Sequence, residues 1–125
     1  MNKTLTQQGG SKILSTVPPE NAFYFCTAKG VYTNISANSL QDFADKLEVI
    51  NESSILFHYP RGDFQAWIRD TLKDVELVNK MCFIQQGISG QILRSQLLEM
   101  VKTRIEELNE KFPSRICNPE GLCLT

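Results

Sequence analysis

The chain has 125 residues, 42% of them hydrophobic and 22% charged, with a formal net charge of −1 from 13 basic and 14 acidic residues. That length suits one domain able to bury its own core, and the composition excludes a largely disordered chain. The charges are spread evenly, without a basic stripe for phosphates or a polybasic segment for an anionic lipid surface, so neither nucleic acid nor membrane is expected as a partner.

Residues 1–19 are polar, contain Gly9-Gly10 and close on Val17-Pro18-Pro19. They are expected to form a flexible lead-in, because two prolines favour extended backbone and remove two amide donors. The early residues carry no continuous apolar run of the kind a secretory signal peptide needs. No stretch approaches the roughly 20 apolar residues that cross a bilayer. A cytoplasmic location is expected, with the four cysteines as thiols.

AFYFCTAKGVYT, residues 22–33, is aromatic and β-branched, with turn chemistry at Ala28-Lys29-Gly30. A short β-hairpin is expected. Alternation puts Phe23, Phe25 and Thr27 on one face, with Tyr24 and Cys26 on the other. Tyr24, Phe25 and Tyr32 are candidates for an exposed stacking surface, the competing role being half of a core.

From Ser39 the period becomes helical. Leu40, Phe43, Ala44, Leu47 and Ile50 form an amphipathic stripe, and Ser39 with Asp42 resembles a capping box. Residues 51–59 fit either a short helix capped by Asn51 or a buried strand. The helix is favoured because the flanking elements are helices joined by short links, and Pro60 is expected to end it, since its ring disfavours helical geometry at Tyr59. Asp63 is a natural N-cap for a helix presenting Phe64, Trp67, Ile68 and Leu72. Asp74 is suited to cap the next helix, which carries Val75, Leu77, Val78, Met81, Cys82 and Ile84 and stops at Gln85-Gln86-Gly87.

Ser89 opens the longest helix, expected to reach about Phe112 before Pro113. Leu93, Leu97, Met100, Val101, Leu108 and Phe112 trace its apolar side, with Arg104 as a charged intruder. Lys102 with Glu106 and Glu107 with Lys111 are spaced as solvent-side pairs. A homodimer or other protein partner could meet this C-terminal helix, a coiled-coil seam being one form of that contact. Residues 20–112 are thus one globular domain and 113–125 a tail. The expected fold is mostly α (α+β), a compact bundle of four to five helices with a small N-terminal hairpin.

Few residues carry chemistry. His58, the only histidine, lies close to Arg61 and Asp63. A carboxylate can orient an imidazole for acid–base work, while Tyr59 and Arg61 would hold a ligand. Against that stand the short separation of the three and the capping duty of Asp63. In the alternative, His58 sits in a corner among Ile55, Phe57 and Tyr59 and donates to a backbone carbonyl. Arg61-Gly62-Asp63 also spells an integrin-binding tripeptide, read here as coincidence.

Cys117 and Cys123 are metal or disulfide candidates, but zinc sites use closely spaced pairs and four ligands. No cofactor is expected. Phosphate-binding, dinucleotide, zinc-protease and nucleophile-elbow motifs are absent from the sequence.

Ser54-Ile55, His58, Asp63-Phe64, Trp67-Ile68, Leu72, Asp74 and Leu77 follow the pattern S-I-x-x-H followed by D-F-x-x-W-I-x-x-x-L-G-D-x-x-L-A. In this the chain resembles an uncharacterised prokaryotic family of small domains over roughly residues 20–84, with the C-terminal helix and cysteine tail outside the likeness. Lys73 stands where the pattern prefers glycine, and Val78 where it prefers alanine. The resemblance implies a shared fold and carries no reaction with it. The leading expectation is therefore a non-catalytic interaction or regulatory module; the alternative is a ligand-binding or enzymatic domain using His58, Arg61 and Asp63.

Overall fold

The computed structural model describes residues 13–85 and 87–111. A two-stranded antiparallel sheet is followed by five α-helices: β1 (Phe23–Ala28), β2 (Val31–Ala37), α1 (Leu40–Val49), α2 (Glu52–Arg61), α3 (Asp63–Asp70), α4 (Val75–Met81) and α5 (Gly90–Lys111). The expected hairpin-plus-helices architecture is what the chain adopts. β1 packs on α2 and β2 on α1, while α1, α2 and α4 all rest against α5.

The hairpin turns at Lys29-Gly30, with Gly30 at φ 77°, the left-handed region open to a residue without Cβ. Phe23 pairs with Ala37 and Phe25 with Ile35, but Cys26 pairs with Tyr32, so β2 holds extra residues at this point. Asn34 takes φ 70° there. The Thr33 hydroxyl bridges the irregularity, donating to the Phe25 carbonyl at 2.8 Å and accepting from the Ile35 amide at 3.1 Å. This bulge ends the simple alternation after Phe25, which is why Thr27 is not buried with Phe23 and Phe25. The second strand also runs past residue 33 to Ala37.

Phe23, Phe25, Phe43, Phe64 and Trp67 form one aromatic cluster, with ring centroids 4.9–6.1 Å apart. The indole N–H of Trp67 donates to the Asn21 carbonyl at 2.7 Å. Ile13, Leu14 and Val17 pack against the core, and the Val17 amide donates to Asn38 at 2.7 Å. Thus part of the lead-in lies on the domain, while residues 1–12 are outside the described residues.

Side-chain caps start most helices where the sequence marks them. Ser39 Oγ accepts from the Asp42 amide, Asn51 Oδ1 from Ser53, and Asp74 Oδ1 from Leu77. Ser89 Oγ accepts from Ile92 at the start of α5. Three boundaries differ from expectation. Pro60 does not end α2, which continues through Arg61. Only the Leu56 carbonyl loses a helical partner to the missing amide, and it does so at an exposed residue, where the loss is least costly.

Asp63 is not an N-cap: Gly62 holds that place, and the Asp63 carboxylate turns elsewhere. Helix α4 closes at Met81, with Cys82, Phe83 and Ile84 in tight turns after it, rather than running on to Gln85.

Helix α5 buries Leu93, Leu97, Val101, Ile105 and Leu108, and with them Arg104. Lys102 does not make the expected pair with Glu106, and the expected pair of Glu107 with Lys111 lies outside the described side chains. Lys102 reaches Glu48 on α1 at 2.7 Å, and Glu107 meets Lys80 on α4 at 3.2 Å. Among the described outward positions, Gln91, Ser95, Gln96, Glu99, Lys102, Thr103, Glu106, Asn109 and Glu110 are polar and Ile92 alone is a large apolar residue. This face lacks the apolar seam of a coiled coil.

Candidate functional site: the His58 corner

The corner between α2 and α3 is made by a single residue. Gly62 sits at φ 80°, ψ 15°, and its amide donates back to the His58 and Tyr59 carbonyls. It ends α2 in a left-handed cap and at once serves as the residue before α3. That reversal returns Asp63 to the last turn of α2. Its Oδ2 accepts from His58 Nδ1 at 2.8 Å and from Arg61 Nε at 2.9 Å.

His58 is 5% exposed. Phe23, Phe57 and Phe64 surround its ring at centroid distances of 4.8, 4.9 and 5.5 Å. Its second nitrogen, Nε2, faces the backbone amide of Cys26 on β1 at 2.8 Å. A backbone N–H can only donate, so Nε2 must accept, which places the ring proton on Nδ1, donating to Asp63. The corner hypothesis is therefore right in kind, but the ring's partners are a carboxylate and an amide rather than a carbonyl.

The electrostatics follow from this placement. Burial lowers the His58 pKa below its usual 6.5; the hydrogen bond and charge of Asp63 oppose this, and the Arg61 cation adds to the lowering. Burial raises the Asp63 carboxyl, but hydrogen bonds from His58 and Arg61 outweigh it, so its pKa falls below 3.8. Arg61 is half exposed and lies over the Phe57 ring at 4.6 Å.

The structure thus brings His58, Arg61 and Asp63 together and leaves the imidazole no free lone pair. A general base needs one. Tyr59 points away from them: it is buried, and its hydroxyl donates to the Met81 carbonyl at 3.0 Å. Burial raises its pKa, with a smaller contribution from Cys82. Cys117 and Cys123 lie outside the described residues. Among the described residues no group of three or more His, Cys, Asp or Glu is placed to hold a metal ion.

A second polar centre was not foreseen in the sequence. Arg104, buried inside the α5 face, donates from Nε to Asp74 Oδ2 at 2.9 Å, with Glu107 and Glu76 at 3.3 and 3.4 Å. Burial lowers the guanidinium pKa, but the surrounding carboxylates outweigh it and raise the value. The available signal was an arginine on an apolar stripe, which implies a buried acid elsewhere in the chain.

The hairpin carries the exposed aromatic surface. Tyr24 and Tyr32 are each 43% exposed and meet edge to face at 5.5 Å, with Val31 exposed beside the turn. Phe25, the third candidate for such a surface, is sealed in the core.

No helix among the described residues is long and apolar enough to cross a membrane. No curated protein and no solved structure matches the chain. One family model, described as a family of unknown function (DUF5752), matches residues 22–118 and so takes in α5, which the resemblance over residues 20–84 had left out. With that match spanning the hairpin and all five helices, the chain belongs to this family of unknown function.

Proposed function

We propose that this chain is a non-catalytic protein-interaction module that offers the tyrosine pair of its hairpin to a partner. The observation that carries the reading is the closure of His58, with Nδ1 on Asp63 and Nε2 on Cys26, both at 2.8 Å. The residues best equipped for chemistry hold the fold together. The hairpin presents to solvent an edge-to-face aromatic pair, and tyrosine is enriched where protein interfaces concentrate their binding energy. The partner is another protein or a second copy of this chain. The hairpin suits that contact better than the polar outer face of α5.

Two measurements test this. Sedimentation over a wide concentration range is expected to show association that weakens in Tyr24→Ala and Tyr32→Ala; where the chain stays monomeric, the same variants are read against a captured partner. A hydrolase and transferase screen of the purified chain is expected to show no turnover. Turnover abolished by His58→Gln or Asp63→Asn would replace this reading with the enzymatic one built on His58, Arg61 and Asp63.

A further inference from the structure

We propose that His58 is a pH-sensitive latch: protonation of its ring breaks the bond to Cys26 and loosens the hold of the helical body on the β-hairpin there, and with it on the Tyr24–Tyr32 surface. The proposal deepens the interaction reading above by naming how that surface is regulated. Its starting point is the asymmetry of the ring's two hydrogen bonds. Nδ1 already carries a proton and donates to Asp63, so that bond survives protonation and gains charge. Nε2 accepts from the Cys26 amide, so a proton there sets two donors face to face at 2.8 Å.

The corner therefore keeps its bond while β1 loses the hydrogen bond that joins it to α2. Cys26 also lies between two register shifts, where the ladder to β2 is irregular and least able to hold the strand by itself.

The groups facing the ring are few. From α3 comes Asp63, whose lowered pKa keeps it ionised throughout the range in which histidine titrates. Arg61, at the end of α2, shares Asp63 Oδ2 at 2.9 Å and opposes a second positive charge nearby. From β1 come the Cys26 backbone amide and the rings of Phe23 and Phe25, while the Cys26 thiol is directed to the Tyr24 carbonyl. Helix α5 also packs on α2 but, among the described residues, places no charge that acts on the ring. An imidazolium here would be nearly sealed and bonded on one side only.

One proton linked to this loosening of the hairpin shifts the closed-to-open ratio by at most about tenfold per pH unit below 6.5. The test is amide hydrogen exchange by NMR on the full chain between pH 7.5 and 5, corrected for intrinsic exchange rates, with the imidazole nitrogens followed in parallel. Protection at Cys26 and Phe25 is expected to fall, at up to that rate, as pH drops from 6.5 toward the lowered pKa of the closed state, and to level off once the closed ring itself becomes imidazolium, with protection in α5 falling less. In His58→Gln the side-chain oxygen can still accept from Cys26 without titrating, and protection is expected to be flat.

Three results would each overturn the proposal: Cys26 protection independent of pH, an equal fall in α5, or an unchanged pH dependence in His58→Gln. Should that variant fail to fold, the wild-type comparison of Cys26 with α5, and with the ring's own titration, still decides. Failure of the interaction reading appears separately, in sedimentation of the tyrosine variants.

Discussion

Removing the carboxylate of Asp74 should be among the most damaging single changes in this domain. Asp74 is 1% exposed and does two things at once. Oδ1 caps α4 through the Leu77 amide at 3.1 Å, and Oδ2 receives Arg104 Nε at 2.9 Å. Losing the cap costs about 1 kcal/mol. Stranding a buried guanidinium costs about 3–5 kcal/mol, and the lower end applies because Glu76 and Glu107 remain within 3.4 Å. Asp74→Ala is therefore expected to lose roughly 4 kcal/mol, a large share of the 5–15 kcal/mol typical of whole domains.

Asp74→Asn separates the two contributions. Its side-chain oxygen can still cap Leu77, while its amide group or a neutral oxygen faces Arg104, so most of the loss should persist. Urea unfolding followed by the fluorescence of Trp67, the only tryptophan, measures all of these variants. A double-mutant cycle of Asp74→Ala with Arg104→Ala should return a coupling of about 2 kcal/mol. A coupling under about 0.5 kcal/mol, with Asp74→Asn as stable as wild type, would show that the pair contributes little and that the cap alone matters.

Ser54 is fully buried and its hydroxyl has no hydrogen-bond partner among the described residues, so Ser54→Ala should gain about 1 kcal/mol in the same urea assay; a loss would mean the hydroxyl is satisfied. Lys73 takes φ 67°, the region where glycine is unstrained, and it occupies the position where the resembled pattern carries glycine. Lys73→Gly should therefore raise thermal stability modestly, by about 0.5–1 kcal/mol, since left-handed strain outweighs the added chain entropy. Global stability should also depend on pH through the corner. Because the folded-state pKa of His58 is lowered, its contribution is full above 6.5 and falls as pH drops toward the folded value. The lowered pKa of Asp63 gives a contribution that is full above 3.8 and lost as pH falls through its folded value. Calorimetry across pH 8 to 3 should show both declines, and only the acidic one in His58→Gln.

Much of the architecture was legible because it depends on local chemistry. The stripe Leu40, Phe43, Ala44 and Leu47 is buried as its spacing implies, and Ser39, Asn51, Asp74 and Ser89 all cap. What escaped depends on contacts far along the chain or on competition between local rules. Pro60 opposes helix continuation, yet only Arg61 follows before Gly62 ends the helix, so a brief violation is tolerated. Arg104 is acceptable on an apolar face only because Asp74, thirty residues earlier, is held inward by its own cap. The bulge had one local sign, Asn34, since asparagine enters left-handed geometry more easily than most residues. The likeness over residues 20–84 found the corner but not the helix that supports it.

The histidine, arginine and aspartate that suggest a site in one dimension acquire a different meaning once Gly62 reverses the chain. Two side chains five residues apart meet only through such a turn, and here it brings the acid to the proton-bearing nitrogen. A catalytic imidazole held in this way would present its other nitrogen to a substrate. In this domain a strand amide already occupies that position, 2.8 Å away, so the chemistry left to the ring is control of the bond to Cys26. That bond joins the corner to the strand bearing Tyr24, one side of the exposed tyrosine pair. If the domain recognises a partner there, the state of one proton on His58 sets how firmly the recognising surface is held.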